Sequence, residues 1–306
     1  MNKGFTEPFD FNNYLTIEAL EDNLTATFTN DVEYAIDGDE WVKLASGSET
    51  QPINVGQTLS FRGELKPNGT KGIGTFTINK KCNLKGNCMS MLFGDNAANN
   101  FSLSGKNFAF YKLFFNCKNI VNVSRNFLPA TTLAMSCYAV MFNGCTSLTT
   151  APELPATILS NSCYSTMFSG CKSLTTTPVL PATNLANYCY ASMFYGCTSL
   201  TKAPVLPVTT LADHCYYYMF YGCTALTKAP ELPATTLATY CYQEMFNGCT
   251  NLNYIKCLAT DISVYNCTYN WVNGVASTGT FVKAAGMSRW TTGSSGIPTG
   301  WTIENA

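Results

Sequence analysis

The sequence predicts a right-handed α/β coil of stacked 26-residue repeats, a solenoid, preceded by a small all-β sandwich. Two observations predict the coil: a Met-Phe-x-Gly-Cys cassette recurs at a constant interval, and the residues before each cassette follow a helical period. A third observation, short apolar strands separated by turn signals in the N-terminal third, predicts the sandwich. A fixed period of this length is typical of proteins in which each unit packs on its neighbours.

The cassette occurs five times, and we number the repeats 1 to 5, each ending at the cysteine of its cassette. The cassettes are Met141–Cys145, Met167–Cys171, Met193–Cys197, Met219–Cys223 and Met245–Cys249. A divergent copy begins at residue 108, and a last copy has Trp271 in place of Met and Val272 in place of Phe. We therefore expect a β-sandwich over residues 1–105, the repeat array over 106–275 and a C-terminal cap over 276–306.

Residues 185–197 of repeat 3 predict an amphipathic helix. At about 100° per residue, the positions that hardly change between repeats fall on one half of the wheel. Met193 and Phe194 are among them, so we expect both side chains in the core. The variable positions, which include Ala191 and Tyr195, fall on the other half and are expected to be exposed.

The ends of this helix are predicted from glycine and proline. Gly196 suits the left-handed residue that stops a helix. The segment 200–207 contains two prolines, which exclude another helix. Because Pro204 removes one ladder donor, we expect very short or irregular strands on this side of the coil.

Six strands are predicted before the array: Tyr14–Leu20, Leu24–Phe28, Val32–Ile36, Trp41–Leu44, Thr58–Arg62 and Gly74–Ile78. Asp37-Gly38 and Asn68-Gly69 are turn signals between them. After the last strand, Cys82 and Cys88 bracket a short polar segment. A local disulfide and a turn with two incidental thiols are both open there.

Of the fifteen cysteines, twelve follow the repeat rather than a disulfide pattern. One set is Cys137, Cys163, Cys189, Cys215, Cys241 and Cys267; the other is Cys117, Cys145, Cys171, Cys197, Cys223 and Cys249. On helices about 8 to 10 Å apart the first set exceeds bridging distance, and the second set points one way. We expect both sets to be small, reduced, buried hydrophobes that form a structural ladder. No second histidine joins His214, so neither a metal nor a cofactor is expected.

Charge is sparse, since acidic and basic residues make up 12% of the chain and the formal net charge is −1. There is no field to attract nucleic acid or an anionic membrane, and we expect neither as a partner. No apolar run reaches the roughly 18 residues of a membrane span, so insertion is not expected. Met1–Phe5 opens without a hydrophobic signal core, which leaves the compartment open.

The repeated Cys-x-x-Leu, the proline-ended strand and Met-Phe-x-Gly-Cys resemble the BspA-like leucine-rich repeats of surface proteins from Bacteroides and relatives. The resemblance covers roughly residues 106–275. It implies an α/β leucine-rich-repeat solenoid, adhesion to host or bacterial surface molecules, and an extracellular or cell-surface location. The 26-residue length and steps such as Ala203-Pro204 depart from the commoner unit. Similar arrays joined to a β-domain occur in phage tail-associated proteins, and the alternative is a structural or assembly module, such as a part of a phage tail or of a surface layer.

The sequence offers little for catalysis. His214 is the one histidine, and its helical phase places it outside while Cys215 points inward, so they do not form a base and nucleophile. The carboxylates of the array are scattered, and Glu153 and Glu231 lie three repeats apart, too far for paired acid and base chemistry. No enzymatic activity is predicted.

Aromatic side chains on the variable side are the candidate ligand-binding residues. They are Tyr188, His214 and Tyr240 in one column, Tyr195 and Tyr221 in a second, and Tyr217 with Tyr218 at the same level. Exposed aromatic clusters often mark binding or assembly sites. The alternative is that neighbouring segments simply cover their flanks with tyrosine. The predicted function is non-enzymatic binding or adhesion at a cell surface, with a protein or glycan as partner.

Overall fold

The computed structural model describes residues 11–306, so the opening segment Met1–Phe5 lies outside the described residues. The strands are β1 (Leu15–Ala19), β2 (Ala26–Phe28), β3 (Val32–Ile36), β4 (Val42–Leu44), β5 (Thr58–Arg62), β6 (Phe76–Ile78), β7 (Cys82–Gly86), β8 (Ile120–Val123), β9 (Tyr254–Cys257), β10 (Thr280–Lys283) and β11 (Thr302–Asn305). The one α-helix in this described part is α1 (Ser90–Phe93). Short 3₁₀ helices lie at Phe11–Asn13, Gly69–Lys71, Gly94–Asn99 and Arg125–Phe127.

Strands β1 to β6 form where the apolar pattern predicted them, with ends that differ by two residues at most. Asp37 and Gly38 take positive φ values of 49° and 82°, as a tight turn between β3 and β4 requires. The strand β7 was missed, because it begins at Cys82 in the segment taken for a turn. Cys82 and Cys88 are buried free thiols.

The first repeat shares a sheet with the N-terminal strands. Six strands pair in the order β4-β3-β5-β1-β7-β8, while β2 and β6 form a separate antiparallel pair. The strand β8 lies beyond residue 106 and pairs in parallel with β7. The N-terminal sheet therefore crosses the expected boundary at residue 105, and the division into three domains stays a prediction.

The predicted α/β leucine-rich-repeat solenoid is wrong. The only α-helix among residues 11–306 is α1, which lies outside the repeats, and the strands form several small sheets rather than one continuous sheet. Each segment taken for a helix is instead a ribbon of overlapping turns. In repeat 3, φ is positive at every fourth residue, with 58° at Tyr188, 54° at Ser192 and 67° at Gly196. A left-handed residue every four positions is incompatible with a right-handed helix.

Hydrogen bonds explain why the ribbon replaces the helix. Alternate residues donate backward within the repeat, as Ala191 N does to Tyr188 O at 3.1 Å. The residues between them donate to the next repeat, as Ser192 N does to Tyr217 O at 2.7 Å. Half of the ribbon's N–H groups thus join neighbouring repeats, whereas an α-helix would direct all of its N–H groups beyond the first turn to carbonyls of the same helix.

The helical wheel still placed most side chains correctly, because a period of four resembles a period of 3.6 over a short segment. Over eight residues the two periods drift apart by only about 80°. Met193 and Phe194 are fully buried and Tyr195 is exposed, as predicted. Ala191 is the exception: it was expected outside and is buried.

On the opposite side, the proline-containing segments pair only through isolated parallel bridges. Thr176 pairs with Lys202, and Lys228 pairs with Tyr254. The expectation of very short, irregular strands is confirmed there. The last copy is covered by the C-terminal segment, where Trp271 Nε1 donates to Gly296 O at 2.8 Å.

Two columns of aromatic rings run through the core. In one, consecutive phenylalanines from Phe114 to Phe246 stack with centroids 5.5 to 5.9 Å apart. In the other, tyrosines from Tyr138 to Tyr242 stack 5.9 to 6.1 Å apart. Both columns lead to Trp271 at the far end. Core packing is therefore continuous from the first repeat to the last.

All fifteen cysteines are buried and free, but they do not form the expected ladder of thiols. In the second set, every Sγ from Cys145 onward donates to a phenylalanine carbonyl one repeat earlier, as Cys197 Sγ does to Phe168 O at 3.1 Å, while Cys117 Sγ donates to Phe76 O in β6. The equivalent contact from Cys223 to Phe194 O is also 3.1 Å. These thiols satisfy backbone carbonyls, which a purely apolar residue of similar size could not do.

Candidate ligand-binding surface

The predicted aromatic residues come together on the outer face of repeats 3 to 5. Tyr188 and His214 stack with centroids 4.1 Å apart, and His214 and Tyr240 stack at 4.5 Å. Tyr195 and Tyr221 stack at 4.7 Å with planes only 1° apart. The outer face thus carries two stacked columns in successive repeats.

Tyr217 and Tyr218 connect the two columns. The ring of Tyr217 lies 5.5 Å from His214, edge on, and 4.3 Å from Tyr218. Tyr218 in turn lies 5.5 Å from Tyr221. All seven predicted residues therefore belong to one group of contacting rings, and we call this group the aromatic patch.

The ribbon backbone holds the first column in place. Tyr188, His214 and Tyr240 occupy equivalent left-handed positions, with φ between 56° and 58°. Their N–H groups donate to the next repeat, as Tyr188 N does to Asp213 O at 3.1 Å. Ser162 occupies the same position in repeat 2, with φ of 56° and the equivalent bond to Asn187 O at 2.9 Å. The repeats therefore stack with or without an aromatic ring at this position.

Burial within the patch favours the neutral form of His214. Desolvation between its neighbours lowers the pKa of His214, and the nearby Asp213 carboxylate opposes this effect only in part. The Nδ1 atom is buried and has no hydrogen-bond partner among residues 11–306. An unpaired acceptor is tolerated more readily there than a charged donor would be.

Two further phenols are shifted by their surroundings. Desolvation, followed by the charge of Glu244, raises the pKa of Tyr218 to about 12. A hydrogen bond with Tyr265 raises the pKa of Tyr240. Glu244 is itself buried, and its carboxylate accepts hydrogen bonds from the Asn247 and Asn270 amides. Both shifts favour the neutral phenol at Tyr218 and Tyr240.

Sequence reasoning missed Tyr265, which extends the first column. Its ring lies 5.3 Å from Tyr240 in an edge-on contact, and 66% of the residue is exposed. Tyr265 falls one position short of a full repeat after Tyr240, so a search at the fixed period finds Asn266 instead. A search that allowed a shift of one residue in the last copy would have found it.

His214 and Cys215 do not form a catalytic pair. Cys215 is fully buried on the core side of the ribbon, whereas His214 lies in the outer aromatic column. Burial raises the pKa of the Cys215 thiol well above its ordinary value, which disfavours the thiolate that a nucleophile requires.

Clefts lie elsewhere on the molecule, and several of their charged residues are engaged with neighbouring side chains. A cleft of about 520 Å³ on the bridge side of repeats 4 and 5 includes Lys228 and Glu231. Lys228 Nζ lies 4.7 Å from the Tyr254 ring, and Lys256 pairs with Glu231 at 2.9 Å. A cleft of about 680 Å³ in the N-terminal sheet is lined by Arg62, which is held in ion pairs with Glu33 and Asp95.

Comparison with known proteins assigns no function to this surface. No protein-family model matches the chain, and no curated protein matches it significantly in sequence. Within residues 11–306, no helix has the length and apolar character needed to cross a membrane. The observations that bear on function are therefore those of the aromatic patch itself.

Proposed function

We propose that this chain is a non-enzymatic binding protein, displayed outside the cell, that recognises a protein or a glycan through the aromatic patch. The observation that carries the proposal is the group of seven contacting rings on the outer face of repeats 3 to 5. The leucine-rich-repeat resemblance lends no support, because the fold it implies is contradicted.

The fold does not require these rings, which favours a role in recognition. Ser162 and Ser169 stand where repeat 3 has Tyr188 and Tyr195, and repeat 2 still makes its bonds to repeat 3. A contiguous exposed aromatic surface is uncommon on a monomer and often marks a binding site. Tyrosines that are already packed against one another lose little conformational entropy when a partner binds.

A location outside the cell is compatible with the free thiols. All fifteen are buried, and burial raises the pKa of thiols such as Cys163 to about 12. Oxidation requires an accessible thiolate, so the folded chain resists it even in an oxidising compartment. The absence of disulfides among residues 11–306 therefore does not argue against display at a surface.

The proposal is tested with printed arrays of glycans and of extracellular proteins, probed with wild type and with a variant carrying Tyr188→Ala, Tyr195→Ala, Tyr217→Ala and Tyr221→Ala. We expect specific binding by wild type and its loss in the variant. Phe101→Ala is the matched control, because Phe101 is an exposed ring outside the patch. Binding that survives in the fourfold variant would overturn the proposal, and assembly of the chain without array binding would favour the structural module.

A further inference from the structure

The two outer columns of the patch end at the same place, the boundary between repeats 2 and 3. His214 covers one face of Tyr188, and Tyr221 covers one face of Tyr195. One repeat earlier the equivalent positions are Ser162 and Ser169. The second face of each tyrosine is therefore turned toward a serine rather than toward another ring, and both tyrosines are 39% exposed.

Small neutral polar groups lie beside these open faces. The outer residues of repeat 2 are Asn161, Ser162, Ser165, Thr166 and Ser169, and all of them are at least partly exposed. Each hydroxyl can both donate and accept a hydrogen bond. Together the open rings and these side chains form a step, which we call the ledge.

The ledge carries no charge. Neither residues 157–171 nor residues 182–201 contain Asp, Glu, Lys, Arg or His, and the one charged residue between these two segments is the exposed Lys172. Asp213 and Glu244 belong to the repeats behind the stacked columns. An ionic ligand would give up hydration at the ledge without gaining an ion pair there, so the ledge favours an uncharged partner.

A sugar ring matches this combination of groups. The faces of an aromatic ring carry negative partial charge, which attracts the weakly positive C–H bonds of a pyranose face. The hydroxyls around the edge of the sugar can exchange hydrogen bonds with the serine and threonine side chains. A pyranose on Tyr188 or Tyr195 would occupy the place of the ring that repeat 2 lacks in each column.

We infer that the ledge is a subsite for a neutral carbohydrate, with one sugar ring stacked on Tyr188 and another on Tyr195. This inference rests on the proposed function and narrows its partner from a protein or glycan to an uncharged glycan. Because no ion pair forms, binding should change little between low and high salt.

The test uses short linear glucans, mannans and galactans, with sulfated and uronate-containing glycans as charged comparators, and measures affinity by calorimetry. We expect binding to a neutral glycan at both low and high salt. Tyr188→Ala and Tyr195→Ala should each weaken it roughly tenfold, since each removes one stacking contact.

A second pair of variants tests the geometry without removing any ring. Ser169→Tyr should extend the column and cover the open face of Tyr195, so that glycan binding falls by roughly tenfold or more. The backbone accepts tyrosine at this position, as repeats 3 and 4 show. Asn143→Tyr is the matched control, because it adds a ring to the same column one repeat farther away and should leave binding unchanged.

The outcomes separate this inference from the proposed function. Patch-dependent binding of a protein or a charged glycan, with no neutral glycan bound, would overturn the ledge and leave the proposed function standing. Neutral glycan binding that Ser169→Tyr leaves intact would also overturn the ledge. Binding unaffected by all the tyrosine variants would overturn both.

Discussion

Phe194 and Tyr195 are neighbours in sequence and both stack on rings of the adjacent repeats, yet they lie on opposite sides of the ribbon. Phe194 is fully buried, with Phe168 5.9 Å away on one side and Phe220 5.7 Å away on the other. Tyr195 is exposed and stacks on Tyr221 alone, at 4.7 Å. The inner column of phenylalanines runs through all five repeats, whereas the outer column that contains Tyr195 occupies only repeats 3 and 4.

This difference distinguishes the inner rings, which every repeat requires for packing, from the outer rings, which only some repeats have. An interruption of the inner column would leave a cavity, so every repeat supplies a ring there. The outer columns can end without a cavity because Tyr188 and Tyr195 are exposed to solvent. Rings on the outer face are therefore a local feature of repeats 3 to 5, which agrees with the recognition role proposed above.

The largest effect is expected from truncating the inner column. Phe194→Ala should lower the free energy of unfolding by about 3 to 5 kcal/mol, because it removes buried contacts with two neighbouring rings. Tyr195→Ala is the matched neighbour and should change it by no more than about 0.5 kcal/mol. Urea denaturation measures both values. Equal losses would mean that the two sides of the ribbon do not differ as described.

The cysteine thiols on the buried side should also be unreactive in the folded protein. Burial raises the pKa of Cys163 and Cys249 to about 12, which lowers their thiolate fraction about a thousandfold relative to the ordinary value. A thiol-reactive dye at neutral pH should label few cysteines in the folded protein and all fifteen after denaturation. Rapid labelling of several cysteines in the folded protein would contradict the burial of these columns.

A smaller effect is expected from Ser192→Gly, and the sign of the change in stability distinguishes the turn ribbon from a helix. Ser192 has a φ of 54°, which is strained for a residue with a side chain, so Ser192→Gly should stabilise the protein by about 0.5 to 1 kcal/mol. In a helix the same change would cost about 0.5 kcal/mol. Ala191→Gly is the adjacent control and should destabilise, since no positive φ is found at Ala191. Thermal or urea denaturation measures the change in stability for both variants. Destabilisation by Ser192→Gly would contradict the turn ribbon in this segment.

The smallest effect concerns pH and the outer column. The pKa of His214 is lowered in the folded state, so the unfolded chain binds more protons once the pH falls to about 6.5. His214 should therefore contribute stability above this pH, which is lost as the pH falls through its folded pKa. The groups around it are Tyr188, Tyr217, Tyr240 and Asp213, and the carboxylate of Asp213 favours the protonated form.

His214→Tyr isolates this contribution, because it keeps a ring in the column and removes the titrating group. Denaturation midpoints between about pH 5 and 8 should depend less on pH in the variant than in wild type. An identical pH dependence in both proteins would show that His214 does not titrate within the stack.

Burial and ring columns could be predicted from the sequence, because positions that recur at the fixed period face the same neighbours in every repeat. The columns that contain Phe194 and Tyr188 both follow from this reasoning. The secondary structure could not be predicted in the same way. Cys-Tyr and Met-Phe doublets four positions apart, as at Cys189 and Met193, fit a helix and a four-residue ribbon almost equally well.

The order of residues was enough to establish the repeat length, the strands before residue 80, the buried side of each repeat and the residues of the aromatic patch. The packing of repeat on repeat was needed to show that the repeats are turns, since the bonds that replace the helix run between repeats, as from Ser192 N to Tyr217 O. That packing also placed Tyr265 beside Tyr240 and left one face of Tyr188 and of Tyr195 open. Local periodicity reports which side of a segment is apolar, but the choice between a helix and a ribbon depends on partners in the neighbouring repeat.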